Sequence, residues 1–196
     1  MGSFVEAIAK VVDTFGNAPV HLVGHSMGSL VCQHFAARSP ANVKSLTLFG
    51  PIYEPAELAR QRLKERARIA RRDGMAGIAD AVVEGGLSSA SKAANPLLEP
   101  FVRESHMRQE AEGFAQTCEA LADARAADLR SLRCATLIVT GDEDPIGPPS
   151  VANLIAEKIK GASVKVLDHC GHWTPLERPS ECERLLSEHI RAQENS

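Results

Sequence analysis

Val20-His21-Leu22-Val23-Gly24-His25-Ser26-Met27-Gly28 is the stretch on which the reading of this chain turns. Val20 to Val23 is a short apolar run of the kind that forms a buried strand. The residues after Ser26, from about Met27 to Arg38, read as a helix, closed by Ser39-Pro40 because the residue before a proline is pushed out of helical geometry. A serine between a strand and a helix, with Gly24 two residues before it and Gly28 two after, fits a nucleophile elbow. The turn forces the serine into a strained backbone conformation, and the two glycines are expected to leave room for it. The hydroxyl then projects above the sheet at a helix N-terminus. There the helix dipole and the Met27 N–H would face a developing oxyanion.

Upstream, Phe4, Ile8, Val11, Val12 and Phe15 recur on one helical face. Ser3 and Glu6 suggest a capping box, and Gly16 a stop. Downstream, Val43 to Phe49 reads as a strand ending at Gly50-Pro51. From about Pro55 to Arg130 the periodicity is helical, with no convincing strand. Strand character returns at Ala135 to Thr140, followed by a helix from about Ser150 to Lys160, a strand from Ser163 to Leu167, and a last helix from about Ser180 to Arg191. Alternation at both ends predicts an α/β fold with a mainly parallel sheet and crossover helices. Residues 1–52 and 132–196 form the expected core, and 53–131 an inserted helical cap.

A hydroxyl nucleophile needs a base, and the base needs an orienting carboxylate. After the strand Leu137-Ile138-Val139-Thr140 come three acids in a row, Asp142, Glu143 and Asp144. After the next strand comes Asp168-His169-Cys170-Gly171-His172-Trp173, with two histidines. Spacing alone does not choose among them. Serine, acid and histidine, each following a predicted strand in that order, resemble the α/β-hydrolase superfamily from about Phe4 to Ile190. The resemblance implies Asp144 as the acid, three residues after Gly141 and four before Pro148. It implies His172 as the base, ahead of Trp173-Thr174-Pro175-Leu176-Glu177-Arg178-Pro179. His169 then packs or bonds backbone, and Asp168 is a turn or strand-end residue. His25, next to the nucleophile, reads as structural. His25 and Trp173 are also the candidates for lining a substrate pocket.

Within that superfamily the helical middle is most similar to 3-oxoadipate enol-lactonases. The similarity lies in Glu112-Gly113-Phe114-Ala115-Gln116-Thr117-Cys118-Glu119-Ala120-Leu121 and in Ala127-Asp128-Leu129-Arg130. It implies a serine hydrolase acting on an ester or enol-lactone carbonyl, as in the catabolism of aromatic compounds, with neither cofactor nor metal. The rivals are carbon–carbon bond hydrolysis or acyl transfer on the same triad, and a non-catalytic or weakly active remnant that serves as a binding protein. A dehalogenase is disfavoured, because its elbow nucleophile would be aspartate. Arg60, Lys64, Arg68 and Arg72 share a helix face, which is either a solvated surface or a patch that steers an anionic substrate.

The resemblance also implies a truncated fold. Relatives carry about four strands and a helix before the segment that opens this chain, and the loop after the third strand normally supplies a second oxyanion N–H. The chain is thus expected to be a fragment, a shortened gene product or a protein that borrows structure from a partner. The uncovered edge of the Val20 strand would favour a homodimer or other association.

Composition sets the remaining bounds. The 196 residues are 44% hydrophobic and 24% charged, as suits a folded domain with a core. A net charge of −3 gives no reason to expect a nucleic-acid partner. No apolar run approaches membrane-spanning length, so no membrane partner is expected. Glu6 and Lys10 interrupt the first apolar residues, unlike a secretory leader. The 5 cysteines form no C-x-x-C pair, which fits a reducing cytoplasm better than a disulfide framework. Cys170, two residues before His172, reads as a small apolar filler.

Overall fold

The computed structural model describes residues 1–16 and 18–195. Helix α1 (Gly2–Asp13) leads to strand β1 (Val20–His25), helix α2 (Met27–Arg38) and strand β2 (Val43–Phe49). Five helices follow: α3 (Glu57–Asp73), α4 (Ala76–Gly86), α5 (Ser89–Ala94), α6 (Leu98–Met107) and α7 (Ala111–Ala122). The chain then returns to the sheet through β3 (Ala135–Gly141), α8 (Pro149–Ala156) and β4 (Ser163–Leu167), and closes with α9 (Thr174–Glu177) and α10 (Pro179–Glu194). The four strands pair in parallel in the order β1-β2-β3-β4. The chain is therefore an α/β protein with a parallel sheet. All the strand ends that carry candidate chemistry open on one edge, because parallel strands share a direction.

Alternation along the strands sorts the core into two layers. Leu46, Leu48 and Ile138 face α1, α2 and α8, packing with Val5, Val12, Val31, Phe35 and Ile155. Phe49, Leu137 and Val139 face the opposite way and meet Cys182 and Leu185 of α10. A sheet covered on both faces explains why Leu137-Ile138-Val139 is a continuous apolar run rather than an alternating one. The inserted helices have a small core of their own, in which Ala67, Ala70 and Ala115 are fully buried beside Met75, Ile78 and Cys118. Small residues let α3 and α7 approach closely. A further cluster of Leu87, Leu98 and Val102 packs against Trp173 and Leu176, joining the insertion to the loop after β4.

Three local expectations are corrected. Ser3 does not cap α1: the helix begins at Gly2 with Met1 at its N-cap and no side-chain cap bond, while Glu6 pairs with Arg38 on α2. An ion pair to a neighbouring helix has taken the carboxylate that a capping box would use. Helix α8 ends at Ala156, short of Lys160, and the chain turns back at Gly161 with a positive φ of 78° that a side chain rarely adopts. The loop after His172 folds into the short helix α9, which periodicity over so few residues could not reveal.

Candidate active site

Ser26 sits between β1 and α2 with φ 53° and ψ −123°. His169 is the only other non-glycine residue with positive φ among those described. Such a backbone typically costs about 1–3 kcal/mol and persists only where its surroundings hold it. Here the Ser26 N–H donates to Phe49 O on β2 at 3.0 Å, and Ser26 O accepts from the Ser29 N–H at 2.9 Å and the Ser29 hydroxyl at 2.6 Å. The glycines on either side do different work. A Cβ on Gly24 would lie 2.5 Å from Gly28 O, whereas a Cβ on Gly28 would meet nothing within 4 Å. The elbow needs close backbone approach at Gly24 and leaves open space at Gly28, so only one of the two glycines makes room for the turn.

The three acids after β3 are separated by the turn that holds them. Asp144 is 2% exposed. Its Oδ1 accepts the N–H groups of Ile146 at 2.8 Å and Gly147 at 2.9 Å. His172 Nδ1 lies 3.0 and 2.9 Å from its two carboxylate oxygens. Asp142 instead accepts the Cys170 N–H at 3.0 Å, and Glu143 is exposed with its Oε1 3.9 Å from His169. Burial would raise the Asp144 pKa, but the His172 hydrogen bond and charge and the two backbone N–H groups outweigh it and hold the carboxyl below its ordinary range.

His172 is 3% exposed and its Nε2 lies 2.8 Å from Ser26 Oγ. An ionised carboxylate only accepts, so Nδ1 carries the proton toward Asp144 and Nε2 is left to accept from the serine hydroxyl. His169, by contrast, is largely exposed. Met27 opens α2, so its N–H has no helical carbonyl four residues back and is among the free donors at the helix N-terminus.

His25 and Trp173 belong to an aromatic cluster beside this array. His25 Nε2–H donates to His172 O at 2.8 Å, its ring centroid lying 4.9 Å from His172 and 5.1 Å from Trp173. Burial, chiefly, and the nearby His172 lower the His25 pKa to about 4, so the ring is neutral at physiological pH. His106, on α6 of the insertion, meets Trp173 edge-on at 5.5 Å. Nothing in its local sequence marked it, because its neighbour is distant in the chain. Glu177 also escaped the sequence reading, although it lies in the stretch that carries the resemblance. It is 7% exposed, and its partners are the backbone N–H groups of Ser88, Gly171 and Trp173. Cys170 is fully buried, and burial followed by the Glu177 charge pushes its thiol far above the ordinary range, which suits a packing role.

The four basic residues expected on one face of α3 each have an acidic partner. Arg60 pairs with Glu54 at 2.8 Å and donates to Ala122 O, Lys64 pairs with Asp123 at 3.3 Å, Arg68 with Glu65 at 3.0 Å and Arg72 with Asp73 at 2.7 Å. The pairing argues against substrate steering, and Arg60 is buried rather than part of a solvated face.

A parallel α/β sheet with these three side chains at its carboxyl edge defines a class, and comparison with known proteins agrees. Residues 1–179 match the family model described as alpha/beta hydrolase fold, and the chain belongs to that family. It is 26% identical over 202 residues to the monoacylglycerol lipase abhd6-B of Xenopus laevis, covering 95% of this chain and 59% of the lipase. It is 28% identical over 189 residues to the 2-hydroxymuconate semialdehyde hydrolase of Pseudomonas putida, covering 93% of this chain and 66% of that enzyme. In fold it is similar to the enol-lactonase from Burkholderia xenovorans LB400, with a TM-score of 0.88, 23% identity, and 95% of this chain and 71% of the lactonase covered. The chain thus spans about three-fifths to two-thirds of the length of the two curated relatives. Among the described residues, no helix is long and apolar enough to cross a membrane.

Proposed function

We propose that this chain carries the catalytic triad of a serine hydrolase, Ser26, His172 and Asp144, acting on an ester or enol-lactone carbonyl. The observation that carries the reading is the unbroken line of hydrogen bonds from the strained Ser26 through His172 to buried Asp144. In this reading His172 Nε2 takes the Ser26 proton as Oγ attacks the carbonyl carbon. Asp144 keeps the imidazole in the required tautomer and stabilises the imidazolium. The Met27 N–H and the α2 dipole stabilise the oxyanion. The tetrahedral intermediate collapses, the His172 proton passes to the leaving alkoxide or enolate, and an acyl-Ser26 ester remains. Water, deprotonated by His172, then hydrolyses it.

Residues 1–52 and 132–196 act as the core in this reading, and 53–131 as a cap whose α4–α5 turn rests on the loop that bears His172. His25 and Trp173 line the acyl site. The lactone part of the reading rests on the stretch from Glu112 to Leu121 and its likeness to enol-lactonases. The five free cysteines support a cytoplasmic setting, and the open edge of β1 supports self-association.

A fluorophosphonate probe tests the assignment together with turnover of nitrophenyl acetate and an enol-lactone. Covalent labelling at Ser26, with hydrolysis of either substrate, is expected. A folded protein that neither labels nor turns over is a binding remnant, and turnover that survives Ser26→Ala overturns the mechanism.

A further inference from the structure

The peptide groups around His172 are held, and one side chain holds two of them. The His172 N–H donates to Gly86 O at 2.8 Å, and His172 O accepts from His25 at 2.8 Å. The peptide N–H before it, on Gly171, donates to Glu177 Oε2 at 2.9 Å, and the one after it, on Trp173, donates to Glu177 Oε1 at 3.0 Å. Glu177 Oε2 also accepts the Ser88 N–H at 3.0 Å, from the turn between α4 and α5. The site is tightly built: a Cβ on Gly171 would lie 2.6 Å from Gly86 O and 2.9 Å from Glu177 Oε1. These are charge-assisted bonds to a carboxylate out of solvent, the stronger class of hydrogen bond.

We infer that Glu177 is a positioning residue for His172: its carboxylate grips the Cys170–Gly171 peptide ahead of the histidine and the His172–Trp173 peptide behind it, and ties both to the Gly86–Ser88 turn of the helical insertion. Side-chain direction follows from the backbone that carries it. Two peptides pinned to one rigid carboxylate leave His172 little freedom to swing between Asp144 and Ser26. Because the third donor comes from the insertion, a displacement of the α4–α5 turn reaches His172 by two routes, directly through the Gly86 O bond to its N–H and through Glu177. A 1 Å misplacement of a catalytic group can cost about a hundredfold in rate. A carboxylate also suits three convergent donors in a way that a carboxamide cannot. In Glu177→Gln one oxygen becomes an NH2 group, and whichever way the amide turns, at least one N–H faces another donor.

The inference rests on the hydrolase reading for its effect on rate, but not for its effect on geometry, so two measurements separate them. In the intact chain, the His172 Nδ1–H held by Asp144 should give a far-downfield proton resonance, and fluorophosphonate should label Ser26. Glu177→Gln is expected to stay folded by circular dichroism, to shift or broaden that resonance, and to slow labelling at saturating probe about ten- to a hundredfold with half-saturation little changed. Glu188→Gln, on the solvent face of α10, should alter neither. Glu177→Asp should move both readouts less, in the same direction. An unchanged resonance and labelling rate in folded Glu177→Gln would overturn the inference. So would a parent protein without the resonance, or loss of fold in both Glu177 variants, which would make the residue purely structural. A parent that shows the resonance but does not label defeats the hydrolase reading and leaves the positioning role standing if Glu177→Gln moves the resonance.

Discussion

Ser45 Oγ lies 2.7 Å from His21 Nδ1, as close as Ser26 lies to His172. His21 Nε2 is in turn 2.7 Å from Glu194, so the chain contains a second line of serine, histidine and carboxylate. The two differ in everything around the hydroxyl. Ser45 is 1% exposed, within strand β2. Ser26 is partly exposed and opens onto α2. A fluorophosphonate should therefore label Ser26 alone. Ser26→Ala should abolish labelling and cut turnover by roughly 10⁴- to 10⁶-fold. Ser45→Ala should keep both and lose about 1 kcal/mol of stability with its hydrogen bond. Peptide mapping of the labelled protein decides it, and a label on Ser45 would mean that burial has been misjudged.

The pH dependence of stability should show a histidine step. The folded pKa of His25 is lowered from 6.5 to about 4, mainly by burial and then by His172, with Asp144 opposing. Folding favours the neutral ring, so its contribution is complete above about 6.5 and is lost as pH falls toward about 4. The ceiling on that loss is about 3 kcal/mol. Asp144, whose folded pKa is also depressed, contributes above the ordinary carboxylate value and loses that contribution only at lower pH. Denaturant melts from pH 7 to 4 should thus show a decline that His25→Asn flattens. Equal slopes in parent and variant would assign the decline elsewhere.

Substitutions at the two elbow glycines should part in sign. Gly24→Ala drives a methyl group into the Gly28 carbonyl, and overpacking of this kind costs roughly 1–3 kcal/mol. Gly28→Ala enters open space inside a helix and should stabilise by about 0.5–1 kcal/mol, because alanine loses less backbone freedom on folding. Thermal unfolding of the two variants side by side is sufficient. Similar losses at both positions would contradict the contact geometry.

Salt should have little influence on the choice between anionic and neutral substrates. Arg60, Lys64, Arg68 and Arg72 each face an acidic partner within 3.3 Å, so this face of α3 offers little uncompensated positive field. kcat/KM for an anionic lactone and for a neutral ester should change in parallel as ionic strength rises. A steep fall for the lactone alone would restore a steering role for this helix.

The self-association proposed above should run through strand β1. Among the described residues it pairs with β2 alone, Val23 is 47% exposed, and the strand carries no Asp, Glu, Lys or Arg to discourage pairing. The other edge strand, β4, carries Lys165 beside the exposed Val166. Val23→Lys should shift the protein toward monomer in light scattering, while Val166→Lys should change little. The same oligomer distribution in parent and Val23→Lys would exclude this edge.

The succession of strands and helices, the parallel class and the candidate nucleophile were legible in the order of residues. Each depends on local chemistry: an apolar run of strand length, a glycine before a tight turn, a helical period afterwards. The capping box and the end of α8 were misjudged because distant partners won, Arg38 for the Glu6 carboxylate and a Gly161 turn for the helix. Likeness to known sequences, not spacing, singled out Asp144 and His172 among three acids and two histidines. Only the folded chain brings Asp144 onto His172 while turning Asp142 to the Cys170 N–H and Glu143 to solvent. Only it discloses the hold of Glu177 on the peptides around His172. Local sequence sets which conformations a segment prefers. Which carboxylate meets which imidazole is set by the packing of strands more than twenty residues apart, whose hydrogen bonds and buried faces exist only when the sheet is assembled.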